Sequence, residues 1–100
     1  MAIIYHVTGA KEWADAQEKG YYEAPSLGLE GFIHCSEESQ VAGVLERYFA
    51  GRQNLVRLSI DTDRLESPLR YEEAPSIGQV FPHIYGVLNL TAVQEAEAIR

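Results

Sequence analysis

Three histidines are the side chains of this sequence that titrate near neutral pH without help. They lie in Ile4-Tyr5-His6-Val7-Thr8, Gly31-Phe32-Ile33-His34-Cys35-Ser36 and Phe81-Pro82-His83-Ile84-Tyr85-Gly86, all stretches that read as extended. The period of two then puts His6 on a face with Ile4 and Thr8, His34 with Phe32 and Ser36, and His83 with Phe81 and Tyr85. If these strands are neighbours, their polar groups converge near the strand ends, where they could move a proton or bind a ligand. Taken singly, each histidine is more simply explained as a hydrogen-bonded structural residue. Three of them in so short a chain point to a pocket.

Other chemistries fit less well. His34 and Cys35 are adjacent, so in a strand they face opposite ways and cannot readily share a metal ion. No Cys-x-x-Cys or His-x-x-x-His spacing exists, and no metal is expected. Cys35 reads as a small buried residue. Ser36 and His34 share a face, but their backbones stand about 7 Å apart at strand rise, and no nucleophile elbow surrounds the serine. Ser36 reads instead as a helix N-cap. Gly28-Leu29-Glu30-Gly31 is neither a P-loop nor a dinucleotide fingerprint. Among the carboxylates, Glu72 shares a face with Arg70. It reads either as a rim salt bridge, worth little if exposed, or as a group that holds a ligand hydroxyl or stabilises developing positive charge.

The elements that must position these residues follow from pattern. Ala2 to Thr8 is a strand, followed by a helix with Ala10, Trp13 and Ala14 on one stripe and Gly20 as its left-handed stop. Tyr21 to Leu29 is a loop in which Tyr21-Tyr22 pairs briefly, and Gly31 to Ser36 is the second strand. Val41, Val44, Leu45, Tyr48 and Phe49 form a full amphipathic stripe, with Glu37 and Glu38 suited to the first turn. Asn54 to Asp61 alternates, Val56, Leu58 and Ile60 facing the core and Arg57 and Ser59 facing away. Asp61 to Leu65 is a helical turn, Leu69 to Glu73 a strand, and Ala74 to Gln79 a loop. Phe81 to Gly86 is extended, with Pro82 favouring an edge or a bend. Val87 to Val93 is the last strand, before an acidic tail that frays or turns helical. The order predicts an α+β domain, two helices packed on a strongly bent, mostly antiparallel sheet.

One hundred residues suit a single domain, 1–100, with one core. The net charge of -7, from 15 acidic and 8 basic residues, argues against DNA, RNA and anionic membrane surfaces as partners. No apolar run approaches a membrane span, and the first residues lack a signal-peptide pattern. With one cysteine, no internal disulfide forms, and a cytoplasmic location is expected.

Read in order, Ile4-Tyr5-His6, Trp13, Gly31-Phe32-Ile33-His34-Cys35-Ser36, Gln40, Leu55 to Asp61, Tyr71-Glu72 and Phe81-Pro82-His83-Ile84-Tyr85-Gly86 resemble the family called domain of unknown function 952 over nearly the whole chain. That family carries no activity to transfer. A more distant likeness is to the ADP-ribosyltransferase-like fold and the catalytic lobe of RNA 2'-phosphotransferases, carried by Ile4 to Thr8, Ile33 to Ser36 and Leu58 to Asp61. It implies an ADP-ribosylation-like architecture and a transferase or hydrolase acting on NAD or an ADP-ribose-type nucleotide. His6 would hold a ribose, His34 would share its cleft, and Glu72 would support an oxocarbenium-like transition state. Tyr5, Thr8, Phe32, Ser36, His83 and Tyr85 would complete the ligand site. Val7 stands where those enzymes have glycine, and the acidic charge does not suit tRNA. A non-catalytic module binding a nucleotide or small anion is the alternative, with a protein-interaction domain behind it.

Overall fold

A computed structural model describes residues 2–100. Among these, β1 (Ile3–Gly9) pairs antiparallel with β4 (Leu55–Asp61), and β4 with β8 (Val93–Ala98). β3 (Ile33–His34), β6 (Gln79–Ile84) and β5 (Leu69–Ala74) form a second antiparallel sheet in that order, and β2 (Tyr21–Tyr22) pairs with β7 (Leu88–Asn89). The helices are α1 (Ala10–Lys19), α2 (Pro25–Glu30) and α3 (Val41–Tyr48). The α+β class and antiparallel pairing match expectation. The described residues, however, hold three small sheets rather than one bent sheet, and three α-helices rather than two.

The first sheet is buried on both faces by alternation. Ile4, His6 and Thr8 stand opposite Ile60, Leu58 and Val56, and all six are buried. This face joins the main core, with Ile33, Ile84 and Leu88 across from it. The other face offers Val7 and Leu55 to Val41 of α3, with Leu45, Phe49 and Tyr5 packed around them. Tyr48 lies outside that stripe, 61 % exposed. In α1 the inward residues are Ala16 and half-buried Trp13, whereas Ala10 and Ala14 are exposed. Gly20 does end α1 in the left-handed region, at φ 92°, where a side chain would be strained.

Five local expectations are corrected. The stretch 25–30 is α2, with Pro25 at its start. It buries no residue, so it has no apolar stripe to betray it. The capping residue is Glu37 rather than Ser36, and it opens a 3-10 turn, Glu38–Gln40, that leads into α3. The Glu37 side chain takes the Gln40 N–H, and Gln40 Oε1 accepts from the Glu37 N–H at 2.9 Å, while Ser36 pairs through its backbone with Tyr5. The expected last strand stops at Asn89 and gives way to a 3-10 turn, Leu90–Ala92. The acidic tail is neither frayed nor helical but forms β8. Its Ala and Glu residues favour helix locally, yet the open edge of β4 captures them, and Arg57 holds Glu97 at 2.9 Å.

Pro82 is the fifth case. It sits in β6, the central strand of its sheet, rather than at an edge. Its carbonyl faces β3 and accepts from Cys35 N–H at 3.0 Å. The N–H that proline lacks therefore falls on the same side, where the ladder with β3 stops after two residues.

Candidate functional site

β1 aims His6 into the interior beside Thr8, and β2 brings Tyr22 to meet it. His6 Nδ1 lies 2.5 Å from the His34 carbonyl oxygen, and Nε2 lies 2.8 Å from Tyr22 Oη. Tyr22 Oη is in turn 2.9 Å from Thr8 Oγ1. A carbonyl can only accept, so Nδ1 carries the proton. Burial lowers the His6 pKa to about 4, against the partial support of the His34 carbonyl bond, and the ring is neutral near pH 7. Nε2 is therefore an acceptor for the Tyr22 hydroxyl, whose oxygen in turn takes the Thr8 proton. Burial pushes Tyr22 up to about 12, so it stays a donor. Both nitrogens of His6 are thus committed inside the protein.

The second cluster lies on the β3-β6-β5 sheet. His34 and His83 are direct partners across β3 and β6, with ring centroids 5.2 Å apart. Phe32 stacks on His83 at 4.1 Å and 19°, and also contacts His34 and Tyr85. Glu72 Oε1 accepts from His83 Nδ1 at 2.7 Å and from Tyr85 Oη at 2.6 Å. The Tyr85 bond, then that of His83, lowers the Glu72 pKa, and the same carboxylate raises that of Tyr85. His34 is half exposed and places Nε2 2.8 Å from Glu30 of α2.

The two clusters meet at β3. The His34 backbone receives His6, and its ring faces His83. All three histidines open onto one cavity of about 710 Å³, walled also by Tyr22, Ser36 and Phe81, with α2 and α3 along its sides. Of the residues selected from sequence, His6, His34, Ser36 and His83 line it. Tyr5, Thr8, Phe32, Glu72 and Tyr85 do not. Tyr5 lies on the far side of β1 under the Arg57 guanidinium, while Thr8 supports Tyr22 from within. Phe32, Glu72 and Tyr85 stand behind His34 and His83. The carboxylates on the wall are Glu12, Glu30 and Glu73, against Arg52 as the arginine.

Sequence reasoning missed Tyr22 and Glu30. An aromatic pair after a helix-stopping glycine signals that one ring turns inward, but which one depends on pairing with β7. Glu30 reaches His34 because α2 is a helix, which the sequence pattern concealed. Cys35 is buried in the wall, and burial pushes its thiol well above its ordinary range, so it is no ready thiolate. Among the described residues, no group of three His, Cys, Asp or Glu is placed to hold a metal ion. No helix is long and apolar enough to cross a membrane, also among the described residues.

The fold has solved counterparts. The crystal structure of protein CC0527 from Caulobacter crescentus is similar with TM-score 0.86 and 30 % identity, covering 95 % of this chain and 83 % of that one. Its solution NMR structure is similar with TM-score 0.83 and 30 % identity, over 99 % and 85 %. A double-methionine variant of the same protein gives TM-score 0.85 at 29 % identity, over 95 % and 83 %. No curated protein is matched by the chain. The family described as "Protein of unknown function (DUF952)" matches residues 7–96, from the strand that carries His6 to the strand that closes the sheet, and the chain belongs to that family.

Proposed function

We propose that the cavity is a small-molecule site and that the protein binds there a nucleotide of the NAD or ADP-ribose type. The observation that carries the reading is the convergence of His6, His34 and His83, from strands far apart in sequence, on one cavity. A partly apolar hollow with a few polar groups is the usual form of a ligand site. The nucleotide class comes from the distant likeness to ADP-ribosyl-transferring and RNA 2'-phosphotransferase enzymes, as does the proposed ADP-ribosylation-like architecture.

Wall charge refines which end of such a ligand enters. Glu12, Glu30 and Glu73 outnumber Arg52, so a free pyrophosphate is repelled from most of the wall, whereas a cationic nicotinamide ring with its neutral ribose is not. His34 and His83 are then the groups that meet the ligand, and His6 holds the wall in place. Glu72 acts through His83 rather than by touching the ribose.

Titration of labelled protein with nicotinamide riboside, NAD and ADP-ribose, followed by histidine-ring NMR, tests the reading. Saturable shifts on His34 and His83 are expected, stronger for nicotinamide riboside and NAD than for ADP-ribose. Absence of saturable shifts at millimolar ligand, or shifts gathered elsewhere, would overturn it. A stronger response to ADP-ribose would refute the charge argument alone.

A further inference from the structure

Resting on the reading of the cavity as a small-molecule site, we propose that His83 is its proton-accepting group, with Glu72 and Tyr85 as positioning residues. Glu72 Oε1 is a carboxylate oxygen and can only accept, so the His83 Nδ1 that lies 2.7 Å from it carries the proton. Nε2 is then the bare nitrogen. On this proposal it is the nitrogen turned to the cavity, which His83 lines and Glu72 does not. Phe32, stacked at 4.1 Å, fixes the ring plane, and the Tyr85 hydroxyl at 2.6 Å fixes the carboxylate.

The other two histidines lack this arrangement. Both ring nitrogens of His6 are taken by the His34 carbonyl and by Tyr22. The ring of His34 is half exposed and bound to Glu30 of the short α2. His83 alone combines near-complete burial, a carboxylate behind it and a free nitrogen in front.

The class of group it meets is a neutral O–H: a ligand hydroxyl, such as that of a ribose, or a water held beside the ligand. In the transfer the O–H bond breaks, an N–H bond forms at Nε2, and the electron pair stays on oxygen. The resulting imidazolium is compensated by Glu72, which keeps its negative charge throughout. A carboxylate that orients a histidine and stabilises its charged form is an established way to make imidazole an effective base.

Long-range nitrogen–proton NMR on histidine-labelled protein reads the tautomer directly. The expected result is His83 as the Nδ1–H form with Nε2 unprotonated, and loss of that preference in Glu72→Gln while the His34 signals stay in place. Site-resolved modification by diethyl pyrocarbonate supplies a second readout. His83 should react at Nε2, several-fold more slowly in Glu72→Gln, and NAD should protect it. An Nε2–H tautomer in the unaltered protein, or a Glu72→Gln variant with unchanged tautomer and reactivity, would overturn the proposal even where NAD shifts the cavity signals. A correct tautomer with neither shifts nor protection by NAD or nicotinamide riboside would overturn the ligand reading, and the proposal with it.

Discussion

The interior cluster around His6 and the outer cluster around His83 are built from the same residue types, a histidine with a tyrosine beside it, and they do opposite things. At His6 every polar atom finds a partner within the protein: Nδ1 the His34 carbonyl, Nε2 the Tyr22 hydroxyl, and Tyr22 the Thr8 hydroxyl. At His83 the ring Nδ1 is held by Glu72, with Tyr85 behind it, and the residue lines the cavity. Histidine chemistry is decided less by burial, since His6 and His83 are buried to a similar degree, than by how many ring nitrogens the fold has already used.

The sharpest way to break this contrast is His6→Ala. It leaves the His34 carbonyl and the Tyr22 hydroxyl without their partner and opens a hole in the β1 face of the core. A loss of roughly 2–5 kcal/mol in denaturant unfolding is expected. A loss within about 0.5 kcal/mol, the range of ordinary surface substitutions, would show that His6 is not the structural member of the pair.

Acid sharpens the same point. The folded-state His6 pKa lies near 4, below the 6.5 of an unfolded histidine, so the unfolded chain takes up the proton first. The stability that neutral His6 brings is complete above pH 6.5 and declines as pH falls toward 4. At one pKa unit per 1.36 kcal/mol the whole effect is roughly 3 kcal/mol. Unfolding measured across this window should show the decline, and His6→Gln should flatten that part of the profile. An unchanged slope in His6→Gln would place the acid sensitivity elsewhere.

The smallest effect is expected at His34→Ala. The half-exposed ring is lost with its Glu30 pair and its edge contacts to Phe32 and His83, but the bond to His6 comes from the backbone, so stability should change by at most about 1 kcal/mol. Ligand-induced shifts should nevertheless weaken. A change as large as that of His6→Ala would erase the distinction between the two clusters.

Much of the scaffold was legible, and the reasons are local. β1 announces itself by its β-branched and aromatic residues, β4 by apolar Val56, Leu58 and Ile60 at every second position, and Val41, Val44 and Leu45 mark α3. The three histidines could be selected because each lies in such a pattern. α2 was hidden because it fully buries no residue and turns only half-buried Leu27 to the core, and β8 because its alanines and glutamates belong by propensity to a helix and are claimed by the edge of β4. The partnership of Glu72 with His83 was hidden for another reason. The register sets Glu72 opposite Phe81, which makes His83 its diagonal neighbour on the same face, and register is a long-range property that neither strand states alone. Tyr22 became part of the site through its pairing with β7, again a contact that the local sequence does not contain.

The short reach of β3 has a mechanical consequence. Because Pro82 offers no hydrogen to the chain beside it, the strand leaves the β6 ladder after His34, and two residues later Ser36 is bonded in both directions to Tyr5 of β1. Four consecutive residues, 33–36, therefore change allegiance from one sheet to the other, and three of them, His34, Cys35 and Ser36, line the cavity. A guest pressing on Cys35 or Ser36 would load both sheets at once. Widening this hollow would proceed by parting two layers of backbone rather than by swinging a side chain, and slowed amide exchange at Tyr5, Cys35 and Ser36 would be the imprint of an occupant.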